Sequence, residues 1–301
     1  MRLFKLSQLV LALFVFAAFF GAGASGVESE EPIDPDVLRK VRKLVKGTLA
    51  EDAKEREKAW NDIREMGNLV TPGLVELCKL KETTPAMSQS ILIALGDSKD
   101  PRAGPALADL MKSPEAFIRK GAARAMGDCQ YKAGLPQLEA AALNEKEDED
   151  VRLFTATAAA KLGSEKALGV LNALLKSEKS EIRSRAVFAL GKYGGIAHVT
   201  AIENALGDAD DSVREDAVEA LRLLKEKPAW AGLIKATSDA NFRIRGTAMD
   251  ALRELTKQKI DNEPKLWQEW WEKHKDDPAA APEPEIKRGE KKKKVDLKES
   301  F

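Results

Sequence analysis

"EIRSRAVFALGKYG", residues 181–194, decides how this chain folds, because its pattern keeps returning. With Ile182 as position zero, the equivalent residues are Glu55, Met87, Ile118, Val151, Val213 and Ile244. The intervals are 32, 31, 33, 31, 31 and 31 residues. A fixed period in this range marks stacked supersecondary units. Within each unit, apolar or small residues recur at positions zero, four, five and eight, as Ile182, Ala186, Val187 and Leu190 do. That spacing is one face of an α-helix. Position four is alanine in five of the seven units, so helix backbones are expected to approach closely there. Glycine near the end of the segment, at Gly67, Gly96, Gly127, Gly163, Gly191 and Gly194, reads as a helix terminator.

A second apolar stretch follows. Leu107, Leu138, Leu171, Ile202 and Leu233 all lie twenty residues after position zero. Pro72, Pro101, Pro105, Pro136 and Pro228 sit near the starts of these stretches, where a missing N–H does no harm. Each unit therefore reads as helix, turn, helix. One such pair cannot cover its own apolar face, but stacked pairs bury a continuous core. The predicted fold is all-α: an α-solenoid of stacked antiparallel helix pairs, about seven repeats long, over residues 34–275.

The segments "VREDAVEALR" (213–222), "IRSRAVFALGKYG" (182–194) and "IRKGAARAMG" (118–127) resemble HEAT repeats, in the short form of bilin-lyase-type HEAT-like repeats. The resemblance spans about residues 55–275. It implies a curved right-handed superhelix with first helices outside and second helices inside. Neither an ankyrin T-P-L-H signature nor a tetratricopeptide pattern is present.

Position one is Arg56, Arg119, Arg152, Arg183, Arg214 and Arg245, with Ser88 the exception. These arginines form either a basic stripe for phosphate or carboxylate, or a structural ladder in which each planar fork bridges groups near a turn. The ladder is favoured, with Glu115, Asp148, Asp210 and Asn241 as candidate partners.

At the N-terminus, Arg2 and Lys5 precede an apolar run from Leu9 to Phe20, and Ala22-Gly23-Ala24 offers a small-residue cleavage site. Residues 1–24 read as a secretory signal peptide and 25–33 as a linker. The rival is an uncleaved anchor over Leu6 to Ala24, which alone would attach the protein to a membrane. The expected location is exported, periplasmic or secreted. Asp34-Pro35 can start a helix whose apolar face includes Val37, Leu38, Val41, Leu44 and Val45. It is basic between those positions, and reads as an N-terminal cap of the array rather than a membrane-surface helix.

Near the other end, Trp267, Trp270 and Trp271 share one helical face, in a stretch that resembles the terminal helix of secreted bacterial HEAT-like proteins. They either cover the free apolar end of the last pair or anchor a partner. Residues 276–301 are rich in proline and lysine, without a periodic face, and are expected to be disordered. Lys291, Lys292, Lys293 and Lys294 are candidate contacts for an anionic polymer, against the simpler reading of a solvated tail.

Lysine plus arginine equals aspartate plus glutamate, at 49 each, so no global field steers the chain to nucleic acid. There are two histidines and two cysteines. Cys78 and Cys129 fall two units apart, too far to pair, and are expected to be free thiols. No metalloprotease, phosphate-loop or nucleophile-elbow motif is present. The expectation is a monomeric, non-catalytic scaffold, with no cofactor or metal, that binds another protein or peptide on the concave face. The alternative is a bilin-lyase-like enzyme or cofactor chaperone. A nucleic-acid binder acting through the basic tail ranks third.

Overall fold

The computed structural model describes residues 33–80 and 83–276. These contain fifteen α-helices and no strand. A leading helix α1 (Pro35–Gly47) is followed by seven long helices, each with a shorter partner. The long ones are α2 (Ala53–Met66), α4 (Pro85–Ser98), α6 (Ala116–Asp128), α8 (Glu149–Lys161), α10 (Ser180–Tyr193), α12 (Asp211–Leu224) and α14 (Phe242–Thr256). The short ones are α3 (Thr71–Lys79), α5 (Gly104–Leu110), α7 (Leu135–Leu143), α9 (Glu165–Leu174), α11 (Val199–Ala205), α13 (Trp230–Ala236) and α15 (Pro264–His274). Each long helix packs on its neighbours in the series, and short helices fill the other layer. This is the expected solenoid of seven antiparallel pairs. The proposed leader, the linker up to residue 32 and the tail from residue 277 lie outside the described residues. Among the described residues, no helix is long and apolar enough to cross a membrane.

The repeat spacing maps directly onto burial. Position four is buried in all seven units, as Ala59, Ile91, Ala122, Thr155, Ala186, Ala217 and Ala248. The one hydroxyl among them, on Thr155, donates to the Val151 carbonyl at 2.8 Å, so it enters the core satisfied. In the short helices Leu107, Leu138, Leu171, Ile202 and Leu233 are all fully buried. Asp52, Thr84, Asp148, Ser164, Asp210 and Asn241 cap the starts of their helices with side-chain acceptors.

The glycines divide into two groups, which corrects the terminator reading. Gly67 and Gly163 do adopt left-handed backbone at helix ends. Gly96, Gly127 and Gly191 instead lie inside α4, α6 and α10, facing the next long helix. A Cβ on Gly127 would sit 3.0 Å from the Ala158 Cβ, and one on Gly191 only 2.4 Å from the Ala220 Cβ. These glycines let the long helices stack backbone to backbone. The left-handed residues that follow these three helices are Lys99, Gln130 and Gly195, while Gly194 ends α10 at negative φ.

At the N-terminal end, α1 lays Val41 and Val45, both fully buried, against α2 and α3. The Thr48 hydroxyl follows, within 2.8 Å of the Ser90 hydroxyl on α4. At the C-terminal end, α15 packs on α13. Trp267 is fully buried, and Trp270 stands between it and Trp230 at centroid distances of 6.0 and 6.3 Å. His274 stacks on Trp270 at 5.0 Å, and Lys227 donates to the His274 carbonyl at 2.9 Å.

Candidate functional site

The position-one arginines are placed by the first turn of each long helix, and their forks point into the turns between units. Arg183 shows the full arrangement. Its Nη1 donates to the carbonyls of Ser177 and Glu178, at 2.9 and 3.2 Å, beyond the end of α9. Its Nε and Nη2 grip both carboxylate oxygens of Asp208 in the turn before α12, at 2.8 and 2.7 Å. Arg119 does the same with Ser113, Pro114 and Glu147, and Arg214 with Asp208 and Asp239. Arg56 and Arg245 make only the carbonyl half, and Arg152 reaches the Ala142 carbonyl. A guanidinium thus satisfies orphan carbonyls after one short helix and ties neighbouring units together.

The acidic partners differ from those expected. Asp148, Asp210 and Asn241 cap their own helices instead, and Glu115 occupies a cap position without a side-chain bond. The fork from Arg183 holds the Asp208 carboxyl below the usual range, and Arg119 does so for Glu147. A depressed carboxyl adds stability above its unfolded pKa, and that stability is lost as pH falls through the folded value. Arg183→Ala is therefore expected to destabilise the array by about 1–2 kcal/mol at neutral pH. The deficit should shrink as the pH drops below about 4. Thermal melts of both proteins across that range check this, and an unchanged melt at pH 7 would contradict it.

The remaining chemistry is dispersed. Cys78 and Cys129 are free, with burial pushing their thiols up to about 12 and about 11. Among the described residues, no three His, Cys, Asp or Glu side chains are grouped to hold a metal. His198 lines a cavity of about 630 Å³ between α9 and α11, but Arg183 and Asp208 there are already engaged with each other. Of the tryptophans, Trp267 is enclosed, while Trp270 and Trp271 are half-buried against the core. Lys291 to Lys294 lie outside the described residues.

Two open grooves run along the long helices. The first, of about 510 Å³, crosses α4, α6 and α8, and is lined by Leu92, Ile93, Phe117, Lys120, Arg124 and Phe154. The second, of about 410 Å³, crosses α8, α10 and α12, with Phe154, Arg185, Phe188, Lys192, Tyr193 and Asp216. Phe154 belongs to both and forms the ridge between them. Lys120 and Arg185 lie against its ring, at 5.4 and 5.5 Å from the centroid. Lys192 lies 5.8 Å from the Phe188 centroid and 5.6 Å from that of Tyr193.

Sequence reasoning missed these grooves. Gly121, Phe154, Arg185 and Asp216 all stand at position three of their units, and Ile93, Arg124, Thr157 and Phe188 at position six. These are positions where the repeats differ, between positions where they agree. That contrast was the available signal.

Asp216 ends the second groove. Burial pushes its carboxyl above the usual range, helped by Glu215 and Glu219, while a hydrogen bond from the Ser184 hydroxyl and the charge of Arg185 oppose the shift. A carboxyl raised on folding penalises the native state once pH exceeds its unfolded value. Asp216→Asn keeps an acceptor for Ser184 and is expected to raise the melting temperature by about 1–2 °C at pH 7. It should give no gain below about pH 4, where the acid is neutral in both states. Equal gains at both pH values would contradict this cause.

A family profile described as HEAT repeats matches residues 71–149 and 135–222. Both matched segments begin at a short helix, and the second ends inside a long one. In that phase the short helix is the first of each pair. No curated protein matches the chain. Among solved structures, YibA of Escherichia coli is similar at 17% identity, over 81% of this chain and 96% of that one, with a TM-score of 0.47. The CpcE–CpcF complex of phycocyanin lyase from Nostoc is similar at 15% identity, over 84% and 99%, with a TM-score of 0.45. Human deoxyhypusine hydroxylase is similar at 17% identity, over 74% and 98%, with a TM-score of 0.36.

Proposed function

This chain belongs to the HEAT-repeat family, and from that premise we propose that it is a non-catalytic scaffold holding a protein segment along its long-helix face. The observation that carries the reading is the pair of grooves joined at Phe154, which makes one apolar track across five successive long helices. An open track of this kind suits an extended chain better than a small enclosed substrate. Read from the sequence, the long helices are first in each pair and therefore outside; counted from where the profile matches begin they are second, and we take their face as the concave one of the proposal. The buried, high-pKa thiols are poor nucleophiles at neutral pH, which fits a binding role. The apolar run at residues 9–20 supports an exported location as part of this reading.

The test is crosslinking in the native cellular fraction, followed by mass spectrometry of the mature chain and of what is attached to it. A start near Ser25 and one enriched protein, linked through residues of α6, α8 or α10, is the expected result. Crosslinks confined to the short-helix layer, or attached small molecules without a protein, would overturn the scaffold.

A further inference from the structure

We propose that the joined groove is a docking site for an acidic peptide segment that carries an apolar anchor residue. This rests on the scaffold reading and specifies its partner.

The anchor site is the first groove. Leu92, Ile93, Phe117 and Phe154 present an apolar pit, and Gly121 forms part of its wall. A Cβ on Gly121 would come 2.7 Å from Leu92 Cδ1, so the wall is kept close by the absence of a side chain. Phe117 is 37% exposed, whereas Ala122, Ala123 and Met126 on the same helix are buried. An exposed aromatic beside a pit of this volume fits a phenylalanine- or leucine-sized side chain from outside.

The charge of the partner follows from which cations in the groove lack a carboxylate. Arg124 lies 3.6 Å from Asp128, which Lys161 also holds at 2.6 Å, and Arg185 pairs with Glu181 at 2.8 Å. Lys120 and Lys192 have no carboxylate within ion-pair reach among the described residues; their contacts are the aromatic rings. Lysine covers a ring with its stem while the ammonium stays at the water edge, free to turn to an incoming acid. Two uncompensated positive charges therefore flank the Phe154 ridge. Beyond them the unpaired charge is the opposite one: Asp216 has no ion pair among the described residues, while Glu215 and Glu219 are held by Arg243 and Arg222. The acidic part of the partner is thus confined to α6, α8 and α10.

Lys120 and Lys192 are two stacking steps of about 8–10 Å apart, and further offset along the helices, giving a span of roughly 20 Å. An extended chain rising about 3.3 Å per residue crosses that span in roughly six residues. The partner is expected to carry two acidic residues at about that separation, with the anchor near one of them.

Nucleic acid fits less well. Base stacking needs open ring faces, whereas Phe154 already has two cations against it and Phe188 has one. Asp128, Glu181 and Asp216 along the track would repel phosphates. The basic tail at residues 287–294 carries the same sign as the free lysines and is excluded as the occupant.

A randomised peptide library panned on the full mature chain tests this directly, with an enriched peptide then titrated by fluorescence anisotropy. Enrichment of Asp or Glu with Phe, Leu or Trp is expected. Binding should weaken about tenfold or more in K120E/K192E, and in F117S, with melting temperatures close to wild type. A neutral or basic pool, or equal binding by K120E/K192E, would overturn the acidic partner. So would competition by oligothymidine without peptide enrichment. A basic pool crosslinked to the same helices would leave the scaffold standing. No enrichment, together with no crosslinked protein in the native fraction, would remove both.

Discussion

Trp267→Ala is expected to destabilise the C-terminal end of the array by about 3–5 kcal/mol, the range for emptying a large buried aromatic site. Trp267 is fully buried on α15, touches Trp270 edge-on, and has the Arg253 guanidinium 6.0 Å from its ring centroid. The same arginine donates to the Ile260 carbonyl at 2.8 Å and to Asn262, so it braces the loop that leads into α15. Removing the indole empties the space under all of these contacts. One term works the other way: the Trp267 indole N–H has no hydrogen-bond partner, and its loss returns about 1 kcal/mol or more. The remaining deficit still dominates. In a repeat array, units are coupled mainly to their neighbours, so the loss should appear first as faster amide exchange over residues 227–274. A cooperative melt lowered equally at every unit, or a melt like wild type, would count against this account.

Gly191→Ala is expected to destabilise by about 2–3 kcal/mol, although alanine is the better helix former by about 1 kcal/mol. The added methyl would lie 2.5 Å from the Ala220 Cα and 2.8 Å from its carbonyl oxygen. These are backbone atoms and cannot rotate away, so α10 and α12 must separate. Gly169→Ala is the internal control. Gly169 is exposed on α9 with nothing within 4 Å of an added Cβ, and the same change there should stabilise by about 1 kcal/mol. Opposite signs in paired chemical denaturation curves are the expected outcome. Matching signs would mean that helix propensity, not interhelical approach, governs both positions.

The two substitutions also show what a repeat pattern can reveal. Position four was readable as a close-packing site because alanine recurs there. Gly191 was read as a terminator because glycine is common at helix ends, and a single sequence does not distinguish an end from a crossing point. Glycine serves both uses for the same physical reason, the missing Cβ. Only the position of the neighbouring helix separates Gly163, at a turn, from Gly191, against Ala220.

The arginines make the same point. Their recurrence at position one marked a bridging role, but the partner of Arg183 proved to be Asp208 and not the cap residue Asp210 two places on. Both acids lie in one short turn, and helix capping claimed one of them. The site was still less legible. Phe117, Lys120, Phe154 and Lys192 come from three different units and meet only because long helices lie side by side.

The sequence by itself determined the helix pairs, their number and the repeating residues of the core. Each of these depends on spacing within a unit or on the repeat between units, and nearest-neighbour physics writes both into the chain locally. The tertiary structure alone decided which glycines carry crossings, which acid each arginine holds, and where an apolar track with two unpaired lysines opens. Those features depend on lateral contact between residues of different units, at positions where the repeat imposes no residue type.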